Sequence, residues 1–184
     1  MLIRLETDND EAAIRAVEYA AFRNHPQHAP GAEPTEHLIV DALRASGRLS
    51  LSLVAEDGGA VVGHVALSPA LLGNAPEDAP EVAMKDGNQG WYLLGPVGVT
   101  PERQGRGIGS ALIREALEVM RDRGARGVVL VGEPGYYARF GFSARPGLTM
   151  DGVPGRYVLG LSLDDGEVRG RITADPAFFV TAEA

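Results

Sequence analysis

The sequence predicts an α/β (α+β) fold, a central mixed β-sheet flanked by helices, on three observations. Strand-like and helix-like stretches follow one another along the chain with no linker between them. Residues 127–132 form a β-branched run with no polar interruption, the pattern of a strand buried on both faces. Between residues 91 and 123 a strand-like run passes through a glycine-rich turn into an amphipathic helix. The 184 residues fit one domain and suffice for a core without disulfides or a structural metal. The expected organisation is a single domain over 1–184, with its core to about residue 163 and a polar C-terminal extension over 164–184.

Residues 1–5 alternate as a short strand, and Asp8 with Glu11 resembles a capping box ahead of Ile14, Val17, Ala21 and Phe22 at helical spacing. After a loop rich in His, Pro and Ala, residues 35–46 place Leu38, Ile39, Ala42 and Leu43 on one helical face and stop at Gly47. Leu49, Leu51 and Leu53 then alternate, Asp57-Gly58-Gly59 supplies a tight turn, and residues 60–67 complete a β-hairpin. From Gly73 to Gly90 the composition turns to Pro, Gly, Asp, Glu and Asn, and only Val82-Ala83-Met84 is strand-like. So long an irregular stretch is either a functional loop that shapes a binding pocket or a tolerated surface insertion. Residues 91–99 return to a strand, and 108–123 form a helix with Ile108, Leu112, Ala116, Val119 and Met120 inward. A buried strand at 127–132, a short helix around 136–140 and a strand at 156–163 complete the order.

Composition removes several function classes. There is no cysteine, which excludes a disulfide scaffold, a zinc ribbon and a cysteine nucleophile. A net charge of −8 argues against a nucleic-acid partner, whose phosphates would demand Lys and Arg. Nothing resembles a secretory signal or a membrane span, so the expected location is the cytoplasm, with no membrane partner. His25 and His28 could suggest a metal pair, but no flanking carboxylate or third ligand supports one, and no metal is expected. A homodimer is compatible with exposed apolar edges.

Chemistry concentrates in Leu93 to Ser110, LLGPVGVTPERQGRGIGS. The first turn of a helix leaves backbone N–H groups without intrahelical partners, and the dipole adds partial positive charge there. Glycines let a phosphate approach that backbone, and Arg103 and Arg106 add formal charge. The spacing is neither a Walker A loop nor a dinucleotide fingerprint. Gly95, Pro96 and Gly98 interrupt the preceding strand, since Pro removes a ladder donor and Gly favours a bulge. Such a strand leaves backbone groups free for an extended ligand docked like an added strand. A ligand with a pyrophosphate at one end and an extended amide chain at the other is coenzyme A.

Gln104-Gly105-Arg106-Gly107-Ile108-Gly109 resembles the Gln/Arg-x-x-Gly-x-Gly/Ala signature of the GNAT superfamily of acetyl-CoA-dependent N-acetyltransferases. Tyr137-Ala138-Arg139-Phe140-Gly141-Phe142 resembles its second signature, a Tyr four residues before Gly-Phe. Within the superfamily, LGPVGVTPERQGRGIGSALI and GEPGYYARFGF are similar to the bacterial YhbS-like subgroup of predicted acetyltransferases. The resemblance implies an acyl-CoA N-acyltransferase fold whose sheet splays open beside the interrupted strand. It implies that the Val97 and Val99 backbones bond the pantetheine amides, and that the backbone near Val97 or Gly98 polarises the thioester carbonyl. The amides of Gln104, Gly105, Arg106, Gly107, Ile108 and Gly109, continuing to Ser110, would hold the pyrophosphate.

The implied reaction passes an acetyl group from acetyl-CoA to a primary amine, a small molecule or a peptide; with no Cys, direct attack in a ternary complex is more economical than a covalent relay, for which Ser110 and other hydroxyls are the alternative carriers. Tyr137 is the expected general acid for the leaving thiolate, because a phenol is protonated at neutral pH. The general base is open: His64 and Glu36 are candidates, with His37 beside the latter, and a water relay is another route. Many relatives carry a small polar residue after the buried strand where this chain has Gly132-Glu133-Pro134-Gly135; Glu133 either faces the site or caps the short helix. Two alternatives stand beside the enzyme: a CoA-binding regulatory or interaction domain without turnover, and a nucleotide-phosphate binder using the glycine turn alone.

Overall fold

A computed structural model describes residues 1–26, 28–73 and 90–181. The strand-like Val82-Ala83-Met84 and most of the Gly73 to Gly90 insertion lie outside the described residues. The chain divides into two compact units, one of residues 1–67, 95–116 and 176–184 and the other of residues 68–94 and 117–175.

In the first unit β1 (Leu2–Leu5), β2 (Leu51–Asp57) and the start of β3 (Ala60–Leu72) form an antiparallel meander. Gly58 and Gly59 turn the hairpin with φ of +63° and +82°, as the Asp-Gly-Gly sequence requires. β3 has β4 (Trp91–Val99) as its next hydrogen-bonded neighbour, and Thr100 N–H continues that edge by donating to Val62 C=O at 3.0 Å. The register pairs Ser52 with Ala66 and Val54 with His64, so alternation sets these four on one face. Ile14 of α1 (Glu11–Phe22) and Val40 of α2 (Glu36–Ala45) close a core with Val54 and Ala66, which places both helices over that face. The other face meets the start of α3 (Ile108–Asp122): Ile108 and Leu112 come within 3.0 Å of where a Cβ on Gly63 would stand. Their closeness is why position 63 carries no side chain.

Two expectations are corrected in this unit. The cap ahead of α1 is not Asp8 with Glu11 but Thr7 with Asp10: the Asp10 carboxylate accepts the Thr7 N–H at 2.7 Å and its hydroxyl at 2.9 Å. Asp8–Asp10 form a 3-10 turn, so the α-helix begins at Glu11, later than a capping box at Asp8 requires. Arg4 forks onto the buried Asp10, Nη1 to Oδ2 at 2.6 Å, and holds that carboxyl well below the usual carboxylate range. Nor are residues 164–184 merely a polar tail. A 3-10 turn at Pro176–Phe179 buries Ala177 against Ile39 and Leu43.

In the second unit the start of β4 runs parallel to β5 (Gly127–Val131), pairing Trp91 with Gly127 and Leu93 with Val129. β8 (Val158–Ser162) covers the other edge of β5 in antiparallel register, and β6 (Ser143–Ala144) adds beyond it. β5 is thus an inner strand, and Val128, Val129 and Leu130 have no exposed surface, which accounts for a run without polar residues. β9 (Gly170–Thr173) pairs antiparallel with the end of β3 at Leu71 and Leu72 and parallel with β7 (Leu148–Thr149). Val168 and Ile172 are buried with it, a second departure from a polar extension. α4 (Pro134–Tyr137) passes into a 3-10 turn at Ala138–Phe140. Along α3 the inward stripe includes Ile113 and Leu117, whereas Val119 is half-buried, because a period of 3.6 drifts past the expected face. Among the described residues no helix is long and apolar enough to cross a membrane.

Candidate active site

The glycine turn lies in the first unit. Gly105 and Gly107 adopt φ of +73° and +81°, the left-handed region, and α3 starts at the next residue, Ile108. The backbone of Gln104, Gly105, Arg106 and Gly107 is exposed, and a Cβ on Gly105 or Gly107 would meet nothing within 4 Å. Both glycines are therefore set by backbone conformation and by open space at the helix N-terminus, not by a packing neighbour. The first intrahelical bond here is Ala111 N–H to Gly107 C=O at 2.9 Å, which leaves the N–H groups of Ile108 and Gly109 ahead of it. Gly109 and Ser110 are half-buried in the first turn.

The two arginines expected beside this turn separate. Arg106 is exposed on it, but Arg103 Nη1 donates to Asp57 Oδ2 at 2.5 Å, so its charge is compensated by the β2–β3 turn. The sequence could not give that pairing, since the partners lie 46 positions apart. Gln104 also turns back: its Nε2 donates to Val99 C=O at 3.0 Å. The Val99 carbonyl thus already accepts one bond from the chain itself, with a second lone pair left over. On the β5 side the ladder of β4 ends at Leu93, and Gly95, Pro96, Val97 and Gly98 follow it.

On the α1 face of that strand lies a group the motifs did not indicate. Glu18 and His64 are both fully buried and meet through Oε1 and Nδ1 at 2.6 Å. His64 Nε2 lies 2.9 Å from Ser52 Oγ, and the Ser52 hydroxyl donates to Glu6 Oε2. Glu6 in turn accepts from Arg44, Nε to Oε1 at 3.1 Å and Nη2 to Oε2 at 2.9 Å. Both ring nitrogens of His64 are thus engaged and none of its surface is exposed, so it meets a substrate only through its neighbours. Among the described residues Glu18 Oε2 forms no hydrogen bond, and it abuts Gly98, where a Cβ would stand 2.7 Å from it. Burial pushes the Glu18 carboxyl up; His64 and, more weakly, the Gly98 amide pull against it, while Glu36 adds to the rise. Glu18 had a signal in the sequence: it stands one turn beyond Ile14, a carboxylate on the apolar stripe of α1.

The other candidate base sits in a different cluster. Glu36 Oε1 is 2.9 Å from His28 Nε2, and its Oε2 accepts the Thr35 N–H at 3.0 Å, so it works first as the N-terminal anchor of α2. His28 does have a carboxylate partner, contrary to the sequence reading. Even so, among the described residues no three His, Asp or Glu side chains gather as metal ligands would. His37 packs edge-on against Tyr19, its Nδ1 is buried with no hydrogen-bond partner among the described residues, and burial lowers its pKa.

Tyr137 belongs to the second unit. Tyr136 and Phe142 meet its ring edge-on, at 5.0 and 6.0 Å between centroids, and burial pushes its hydroxyl up to about 12. Gly132 is in contact with the same ring: a Cβ there would lie 2.3 Å from Tyr137 Cε2. The missing side chain at 132 makes room for the ring. Glu133 occupies the cap position, with its backbone carbonyl accepting the N–H groups of Tyr136 and Tyr137 at 3.0 and 3.1 Å, while its side chain makes no capping bond. Gly132→Ala is expected to force the ring aside and to lower stability by about 1–3 kcal/mol, as overpacking does. Thermal denaturation checks this, and an unchanged Tm would contradict the contact.

Residues 12–142 match the model of the acetyltransferase (GNAT) family, a span that contains both motifs. Among curated proteins, the chain is 32% identical over 143 residues to the uncharacterized N-acetyltransferase YhbS of Escherichia coli (strain K12), covering 77% of this chain and 73% of that one. It is 34% identical over 138 residues to the uncharacterized N-acetyltransferase YjhQ of the same strain, covering 74% and 66%. Among solved structures, a GNAT family acetyltransferase from Brucella melitensis in complex with acetyl-CoA superimposes with a TM-score of 0.76 at 44% identity, over 96% of this chain and 97% of that one. The Escherichia coli YhbS structure in complex with CoA gives a TM-score of 0.80 at 27% identity, over 98% and 93%.

Proposed function

We propose, since this chain belongs to the GNAT acetyltransferase family, that it transfers an acetyl group from acetyl-CoA to a primary amine by direct attack in a ternary complex. The observation that carries the reading is the exposed, left-handed Gly105 and Gly107 backbone opening α3 in a chain whose match to the family spans both motifs. The relatives solved with acetyl-CoA and CoA support the donor. In this reading the amides of Gln104 to Gly109, with Ser110, hold the pyrophosphate through the field of the helix terminus. The backbone of Val97 and Val99 aligns the pantetheine arm. The amide of Val97 or Gly98 polarises the thioester carbonyl and stabilises the developing oxyanion.

Three chemical needs remain: a neutral amine, a receiver for its proton and a donor for the thiolate. An alkylamine resembles Lys, near pKa 10.4, so it must shed a proton before or during attack. Tyr137 supplies the thiolate proton; with its pKa pushed to about 12 it stays protonated throughout the working range. With no cysteine in the chain, a thioester relay on the enzyme has no carrier.

Calorimetric titration with acetyl-CoA, CoA and ATP, followed by thiol release against an amine panel, tests the proposal. We expect micromolar or tighter acetyl-CoA binding, about −8 kcal/mol, no competition by ATP, and CoA release that depends on one class of amine. Binding without release to any amine would favour a CoA-binding regulatory domain, and no binding would remove the cofactor.

A further inference from the structure

We propose that Glu18, His64, Ser52 and Glu6 form a proton path that takes the proton of the acceptor amine from the interior beside Gly98 and delivers it to Glu6 at the outer end of the chain of bonds. The inference rests on the reaction proposed above and adds to it the receiver of the proton.

The carrying observation is a continuous hydrogen-bonded chain through one sheet face. Glu18 Oε1 meets His64 Nδ1 at 2.6 Å, His64 Nε2 meets Ser52 Oγ at 2.9 Å, and the Ser52 hydroxyl bonds Glu6. Exposure rises along it: Glu18 and His64 side chains have none, and Glu6 has 19%. The register makes the chain possible, since Ser52 and His64 lie diagonally across β2 and β3 on the face that α1 covers. The direction follows from the donors. The Ser52 hydroxyl is spent on the Glu6 carboxylate, so its lone pair receives the His64 Nε2–H, and Nδ1 shares the remaining proton with Glu18. At the inner end Glu18 Oε2 is a buried carboxylate oxygen that forms no hydrogen bond among the described residues and feels only the weak pull of the Gly98 amide. Buried polar atoms are seldom left unpartnered, and one so placed calls for a ligand donor. It abuts Gly98, in the stretch of β4 where the thioester carbonyl is proposed to sit. An ammonium or amine N–H is the donor that the proposed reaction brings there.

The proton balance closes. As the amine nitrogen bonds the acetyl carbon its N–H bond breaks and Glu18 Oε2 takes the proton. His64 passes its Nε2 proton to Ser52, and Ser52 passes its own to Glu6. At the end Glu18 and Glu6 are protonated and His64 is neutral with its proton on Nδ1, whichever of Glu18 and His64 held the shared proton at the start. Glu6 then releases to water. Against desolvation, Arg44, Ser52 and His64 together keep the Glu6 carboxyl low, so it rests ionised and gives up a proton to water readily. The charged groups around the path are Arg44 on α2 with Glu6, Asp41 and Glu11 beside it, and Glu36 on α2, whose charge acts on Glu18. Glu18 is the catalytic residue of this scheme; His64, Ser52 and Glu6 act through it.

Exchange of the His64 ring proton with solvent, followed by NMR, tests the path without any amine. We expect Ser52→Ala and Glu6→Gln to slow that exchange about tenfold or more, while the Val65 amide, which reports opening of β3, keeps its rate. Ser52→Thr, which restores the hydroxyl, is expected to return the rate. Equal rates in wild type, Ser52→Ala and Glu6→Gln would overturn the path. In a second arm, n-butylamine and a lysine peptide serve as amine probes at a series of pH values. We expect Glu18→Gln to lower kcat about 100-fold with acetyl-CoA affinity kept and the rise of kcat with pH removed. Glu18→Gln with a wild-type pH profile would overturn its role. Slowed exchange together with no turnover by wild type on either probe supports the path while leaving the acceptor assignment to fail separately.

Discussion

Gly107→Glu is expected to weaken acetyl-CoA binding by about 100-fold or more, close to 3 kcal/mol, in a protein that still folds. Two effects add. The carboxylate would project into the open space beside the N-terminus of α3, where it competes with the pyrophosphate for the same N–H groups and repels it. The backbone at 107 also has φ of +81°, which a side chain resists at a cost of about 1–3 kcal/mol. The second effect is present with and without ligand, so it lowers stability more than affinity. Gly107→Ala separates the two: it carries the strain without the charge, and should lower Tm while keeping affinity within about tenfold. Calorimetry on both variants and wild type decides the matter, and full affinity in Gly107→Glu would remove the phosphate from this turn.

Tyr137→Phe is expected to lower kcat about 100-fold, the scale of a lost general acid, and to leave the KM for acetyl-CoA within about twofold. The ring contacts with Tyr136, Phe142 and Gly132 do not involve the hydroxyl, so the fold should be indifferent to the change. The sign of the pH effect is fixed by the raised pKa. A phenol whose folded value is about 12 against an unfolded value near 10 favours the folded state fully below pH 10. That contribution is lost as pH rises from 10 toward 12, and Tyr137→Phe should abolish the loss. Within the range of ordinary assays no falling limb of kcat comes from Tyr137. A variant with wild-type kcat would mean that the thiolate departs without this proton.

How far the sequence revealed these features depends on how local each signal is. The glycine turn was legible because the left-handed conformations of Gly105 and Gly107 are demanded by the backbone within a few residues. The order of strands and helices was legible from periodicity, and β5 from its unbroken apolar run. Arg103 with Asp57, and the chain from Glu18 to Glu6, were not, because their members sit on elements brought together only by strand register and helix packing. His64 was found as a titratable residue in a strand, but not the burial that denies it direct contact with a substrate. The reading of residues 164–184 erred in the same way: Val168, Ile172 and Ala177 are too sparse to show a period, yet each finds an apolar surface made by distant residues. The reason for a glycine at 132 was not legible either, because the Tyr137 ring that fills the space above it comes from the short helix beyond β5.

The seal that Ala177 makes on Ile39 and Leu43 also sets an order of events during synthesis. A chain leaves the ribosome from its N-terminus, and elements fold as they emerge. α1 and α2 appear early, but the residue that covers their apolar flank is translated well over a hundred positions later, after the whole stretch of residues 117–175 that forms the other unit. The first unit therefore waits, with Leu43 uncovered, while the second is made. Contacts of such long sequence separation form late and slowly. The unit that carries the glycine turn is thus completed only after the other has been translated.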